Sequence, residues 1–176
     1  MDTQRSMLDL ENRALQILNY PENFKPLEQW PEDETVFRIW KYPGFGQPYS
    51  TWILREKKEE FYVRRLEWDR PRDYGWMGGK PTIYGSESPV PANIAIPIVQ
   101  RLRDISLPPF IKRPTFGIDG IKFGVEMRSF SLKIQLSWWY NPPDEWKELA
   151  SWFDETVETL DSLLPEGTAR MKQGHF

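Results

Sequence analysis

The chain has no cysteine and a single histidine, His175, one residue from its C-terminal end. The first absence excludes disulfides, thiol catalysis and Cys-ligated zinc. The second argues against a His-based triad or a His-rich metal site, so any catalysis would rest on carboxylates, Lys, Tyr or Ser. Also missing is the run of about 20 apolar residues that a membrane-crossing helix needs. Met1-Asp2-Thr3-Gln4-Arg5 lacks the basic region and apolar block of a secretory signal. The glycine-rich stretch Gly75-Trp76-Met77-Gly78-Gly79-Lys80-Pro81 contains a lysine, but proline follows it where a phosphate loop needs Ser or Thr, and no helix follows directly. The expectations are a cytoplasmic chain with no cofactor, no bound metal and no membrane contact. There is no internal repeat and no low-complexity segment.

What is present is a chain of 176 residues with nine tryptophans, the size of one domain with a real core. Large aromatics bury much area per side chain, so most of these tryptophans are expected in or beside the core. The net charge of −3 is unevenly spread. Residues 1–34 hold three basic and eight acidic side chains, residues 35–130 sixteen and ten, and residues 131–176 four and eight. Acidic ends can shield a basic middle within the molecule, or the acidic surface can meet a partner. A sequence pI of about 5.4 argues against a nucleic-acid groove.

The region 116–164 organises the rest. Ile121, Phe123, Val125 and Met127 alternate with Lys122, Gly124, Glu126 and Arg128, and Leu132, Ile134, Leu136 and Trp138 alternate in the same way. Period two describes half-buried strands. A turn around Arg128 and Ser129 would pair Met127 with Phe130, Val125 with Leu132, Phe123 with Ile134 and Ile121 with Leu136. Asn141 is a candidate N-cap and Pro142 a candidate first helical residue. The long helix that follows carries Trp146, Leu149, Ala150, Phe153, Val157, Leu160 and Leu164 on one stripe, and Pro165 and Gly167 stop it.

Upstream, Met7, Leu10, Ala14 and Ile17 predict a helix over 6–18 with Ser6 as its cap, then a proline-rich acidic surface connection over 21–34. Strands are expected over 35–42, 49–56 and 61–68, with Lys57-Lys58-Glu59-Glu60 as a hairpin tip. Arg38, Arg55, Arg64 and Arg65 interrupt their apolar pattern, which reads as a solvated face of the pleat or as an anion groove. Residues 69–88 read as a long irregular loop. Ala95, Ile98, Val99, Leu102 and Ile105 mark a helix within 91–105 that begins or kinks at Pro97.

Two carboxylates merit a chemical reading. Asp119, before Gly120, is ordinary turn chemistry, and Glu126 falls on the polar face of its strand, expected to face solvent. Tyr74, Trp76, Trp139, Tyr140 and Trp152 lie off the buried stripes and are candidate anchors for a protein or a sugar. Lys80 joins them from the glycine-rich loop, and Glu155 and Glu158 from an acidic face of the last helix that also holds Glu145, Glu148, Asp154 and Asp161.

The run Gly117-Ile118-Asp119-Gly120-x-x-Phe123, with Trp138-Trp139-x-x-Pro142-Pro143-x-Glu145-Trp146-x-x-Leu149, resembles a recurring arrangement in small uncharacterised bacterial proteins. Ile105-x-Leu107-Pro108-Pro109 fits the same arrangement. The resemblance covers the last third of the chain and implies fold more than activity; by analogy it implies an immunity-type protein that neutralises a toxin.

Together these observations predict one α+β domain, an antiparallel sheet of about five or six strands with helices packed on one face. The expected function is protein interaction through the acidic helix surface, with a basic-surfaced protein as partner. A small-ligand or sugar-binding domain, or a carboxylate-based hydrolase, is the alternative, its cleft set between the loop at Tyr74 and Lys80 and the sheet arginines. A homodimer is compatible with the sequence, but no particular residue argues for it.

Overall fold

A computed structural model of the chain describes residues 2–44, 46–75, 80–108, 120–129, 132–167 and 169–170. Helix α1 (Asp2–Leu18) leads through two short 3-10 turns into strands β1 (Thr35–Pro43), β2 (Tyr49–Lys57) and β3 (Glu60–Trp68). A short helix α2 (Arg70–Gly75), strand β4 (Ile83–Val90) and helix α3 (Ala92–Asp104) follow. The hairpin β5 (Ile121–Ser129) and β6 (Leu132–Trp139) then feeds α4 (Lys147–Leu163), and two residues form β7 (Ala169–Arg170). The fold is α+β. Its antiparallel sheet runs in the order β6-β5-β1-β2-β3-β4-β7, with six long strands and the short β7 at one edge.

Because side chains alternate along a strand, the register divides the sheet into two unlike faces. Phe37 and Ile39 stand opposite Leu54 and Trp52 on one side and Met127 and Val125 on the other. This apolar face packs on Ala95, Val99 and Leu102 of α3 and on Leu149, Trp152, Phe153 and Leu160 of α4. Phe153 meets Phe123 and Trp138 edge-on at 5.4 and 5.6 Å. The N-terminal helix adds a smaller core on part of the other face, where Leu10, Ala14 and Leu18 pack with Phe24, Leu66, Trp68 and Ile83.

That other face carries Arg38, Arg55 and Arg64 and is not solvated there, while Arg65, opposite Trp52, lies on the apolar face and pairs with Asp161 of α4 at 3.0 Å. Arg38, Arg55 and Arg64 are buried. Arg64 is wholly enclosed: its guanidinium donates to the carbonyls of Pro21 and Glu22 at 2.7 and 3.1 Å, to the Glu28 carbonyl, and to Glu87 Oε1. Trp30 lies between two cations, with Arg64 Cζ 4.1 Å and Arg55 Cζ 4.3 Å from its ring centroid. The connection over 21–34 is therefore a lid on the basic face, not a surface tether. Phe24, Trp30 and Glu22 are buried within it. Acidic shielding within the molecule does occur, and backbone carbonyls supply much of it.

Several expectations change in detail. The β5–β6 hairpin pairs Met127 with Ile134, Val125 with Leu136 and Phe123 with Trp138, so the turn lies two residues further on than expected. A two-residue displacement keeps every side chain on its face, and alternation therefore sets parity, not register. Helix α1 begins at Asp2, so Ser6 is inside it and not its cap. Helix α3 begins at Ala92 and contains Pro97. The last helical segment opens as a 3-10 turn over Asp144–Trp146, with Pro143 at the cap position and no capping side-chain hydrogen bond, displacing Asn141 and Pro142 from those roles. Residues 69–88 hold α2 and β4. Strand β4 escapes a hydrophobic reading because its buried positions are Gly85 and Ser86 as well as Ile83 and Val90. Gly85 is required where it stands: an added Cβ would come within 2.6 Å of the Phe24 ring. Phe130, Asp119, His175 and the start of the hairpin unit at 116–119 lie outside the described residues.

Two substitutions test this architecture. Phe153→Asp buries a charge in the apolar core and is expected to abolish cooperative unfolding or lower Tm severely; an unchanged Tm would refute the packing of α4. Arg64→Ala strands the carbonyls of the connection and is expected to cost about 3–5 kcal/mol in denaturant titration. The exposed Arg13→Ala should change stability by no more than about 0.5 kcal/mol.

Candidate functional site

Two openings stand out among the described residues, one on each face of the sheet. The first is a cleft of about 490 Å³ between α1 and the β6-β5-β1 side. Its floor follows from register. Tyr42, Lys122 and Trp139 form one cross-strand row, and Trp40, Gly124 and Ser137 the next. Gly124 lets the Trp40 indole lie against the sheet, since any Cβ there would fall inside the ring. Tyr42 stacks on Tyr49 at 4.9 Å, and burial pushes the Tyr42 hydroxyl up to about 12.

At the inner end, Glu11 accepts hydrogen bonds from Tyr49 at 3.0 Å and Tyr74 at 3.1 Å. Burial and the neighbouring Glu11 carboxylate raise the Tyr49 hydroxyl well above its ordinary value, and burial raises that of Tyr74. Both tyrosines are therefore protonated donors at neutral pH. Arg70 lies over both rings, 4.9 and 4.6 Å from their centroids, and donates to the carbonyls of Pro43 and Gly44. Glu11 thus serves as an anchored acceptor between two phenols, an arrangement suited to holding the wall in shape.

The second opening is a groove of about 720 Å³ where α3, the start of β1, the β2–β3 tip and the β5–β6 end meet. Val36, Val99, Leu102, Met127, Leu132 and Ile134 supply its apolar lining. Leu132 is 59% exposed and Ile134 38% exposed. Both lie on β6, which among the described residues pairs only with β5 and so forms a sheet edge. Asp33, Glu34, Glu56 and Glu59 line the groove together with Lys58, Arg103 and Arg128. Lys58 and Glu59 form the lip in left-handed backbone, with φ of 52° and 67°, a conformation that costs non-glycine residues about 1–2 kcal/mol each.

Between the openings, on the polar face, lies a charge network. Glu126 is 1% exposed and not on the solvent side as expected. It accepts from Arg38 at 2.7 Å and from Arg128 at 2.7 Å, with Lys133 3.3 Å away. Arg128 also pairs with Glu32, and Arg38 donates to the Asn19 carbonyl at the end of α1. Burial works to raise the Glu126 carboxyl, but the three cations outweigh it and hold the group below the ordinary glutamate value.

The residues singled out from sequence separate into distinct places. Trp139 lines the cleft, Tyr74 supports it through its hydrogen bond to Glu11, and the exposed Tyr140 lies beside Gly120 at its margin. Lys80 is exposed, and Trp76 lies outside the described residues. Trp152 is not an anchor: it is 1% exposed, meets Phe37 edge-on and donates to the Ile98 carbonyl at 3.0 Å. The helical stripe is wider than the sequence spacing drew it. Glu155 and Glu158 are exposed on α4, on the far side of the sheet from the cleft, but Glu155 pairs with Arg101. Asp161 accepts from Trp52 at 2.7 Å and Arg65 at 3.0 Å, so it belongs to the packing and not to a free acidic surface. Arg38, Arg55 and Arg64 are buried, and residues 76–79 of the loop expected to face the sheet arginines across a cleft lie outside the described residues. Glu11, Trp40 and Arg70 were missed. The signal for Trp40 was its place opposite Gly124, visible only once β1 and β5 are paired.

No family model, curated protein or solved structure matches the chain. Among the described residues no group of His, Cys, Asp and Glu is placed to hold a metal ion, and no helix is long and apolar enough to cross a membrane.

The Glu126 network gives a pH prediction. Its folded-state pKa is depressed below 4.5, so its contribution is full above that value and is lost as pH falls through the folded pKa. Glu126→Gln should destabilise the protein at neutral pH, and the gap from wild type should close on acidification below 4.5. A gap independent of pH in denaturant titrations would show that the carboxylate is not held ionised.

Proposed function

We propose that this protein is a non-catalytic protein-interaction domain of the immunity type, which receives a partner in the groove at the β5–β6 end. The observation that carries this reading is the exposure of Leu132 and Ile134 on an edge strand, continuous with the apolar lining of that groove. Large apolar side chains left at the rim of a concave surface are the usual material of a docking site. A further feature supports it. The local charge also has a direction: Glu34 and Arg128 are paired internally, leaving Asp33, Glu56 and Glu59 against Lys58 and Arg103. Glu148, Asp154 and Glu158 extend acidic surface along α4 without ion pairs among the described residues. A partner with an apolar ridge flanked by basic groups fits this layout, and the acidic surface adds salt-sensitive attraction.

The test is affinity purification of the tagged chain from its own cells at low salt, with mass spectrometry of what co-elutes. Wild type is expected to retain a stoichiometric basic-surfaced protein, and Leu132→Asp combined with Ile134→Asp to lose it while keeping the wild-type Tm. Elution without a partner, or a partner unaffected by the double substitution, would overturn the proposal.

A further inference from the structure

The cleft on the opposite face is unused by that reading, and its chemistry points to a different ligand. Two of its charged groups are committed to neutral neighbours. Glu11 is bonded to two phenols, and Arg70 to two carbonyls and two aromatic rings. A cationic ligand would meet Arg70 and Lys122, and an anionic one would find Lys122 exposed at the rim and Arg70 already bonded to two carbonyls. What remains uncommitted, apart from one buried nitrogen of Arg70, is neutral or at the rim. The side chains of Asn19 and Gln135 have no hydrogen-bond partner among the described residues and are exposed on opposite walls, and the buried Arg70 Nε is an unpaired donor. Between them Trp139 is half-buried, beside Lys122 across the β5–β6 ladder.

We infer that this cleft is a carbohydrate-binding site, in which a neutral pyranose lays its apolar C–H face on Trp139 while its hydroxyls bond to Asn19, Gln135 and Lys122. The match is in the polarity of the groups. A sugar hydroxyl donates and accepts at one atom, and side-chain amides offer both functions. One flat aromatic with a few convergent polar groups is the composition of a small-ligand site, and the volume of about 490 Å³ falls within the usual range of about 300–1,000 Å³ for such sites.

The full chain is titrated with a panel of neutral mono- and oligosaccharides and followed by saturation-transfer-difference NMR, with a nucleoside and an aromatic carboxylate as comparison probes. Saturation is expected to reach the ring protons on one face of a pyranose. Trp139→Ala should weaken binding by more than about tenfold, and Gln135→Ala and Asn19→Ala by about fivefold each, the loss of one hydrogen bond. Because Asn19 and Gln135 are exposed, their variants should fold as wild type even if Trp139→Ala does not. Absence of transfer from every saccharide, stronger transfer from the nucleoside or the carboxylate, or saccharide binding indifferent to Asn19 and Gln135 would each overturn the inference. Leu132→Asp, on the other face, should leave saccharide binding unchanged, which separates this result from the fate of the docking groove.

Discussion

The enclosed guanidinium of Arg64 is the constraint on which the polar half of the molecule depends. A charge with no exposed surface must be met by partners, and here three main-chain carbonyls from the segment after α1 join Glu87 in meeting it. Lifting that segment off the sheet would leave a cation in a dry environment, so the segment is clamped as firmly as an apolar core element. Trp30 is thereby held between Arg55 and Arg64, and Phe24 against Gly85. The same clamp delivers α1 to its seat over β2 and β3, and with it one wall of the aromatic cleft.

The two faces of the sheet reach cohesion by different physics. Towards α3 and α4, large side chains exclude water, and aromatic rings meet edge-on around Phe153 and Trp138. Towards α1, charges are neutralised in place: Arg38 by Glu126, Arg55 by Glu34 and Trp30, Arg64 by carbonyls. Each face is covered over its centre and left open towards one end of the β5–β6 hairpin. Both openings arise where cover runs out, the groove beyond α3 and the cleft beyond the reach of α1. The hairpin supplies a wall to each because its alternating residues point both ways: Ile134 to one opening and Gln135 to the other.

Much of the framework was legible from spacing. Alternation placed β5 and β6, strand-forming residues between turn signals placed β1, β2 and β3, and the three-and-four spacing placed α1, α3 and α4, because residue type and a repeating apolar face both leave a local trace. The trace is weaker where burial is not apolar. Strand β4 reads as a loop because Gly85 makes room for Phe24 and Glu87 answers Arg64. Of the candidate site, Trp139 and Tyr74 were identified by their place off the buried stripes. Trp152 was misjudged on the same criterion, since α4 is covered by both α3 and the sheet and so buries a wider arc.

Sequence by itself therefore determined the class of fold, the parity of the β5–β6 hairpin, the placement of the main helices and the absence of thiol and disulfide chemistry. These follow from local geometry and side-chain type, which need no knowledge of neighbours. Tertiary structure alone decided the hairpin register, the burial of the arginines and Glu126, and which aromatics converge on a cleft. An arginine in a strand has the same local pattern whether water or a carbonyl meets it. Only the path of a distant segment, here the acidic connection after α1, decides between the two.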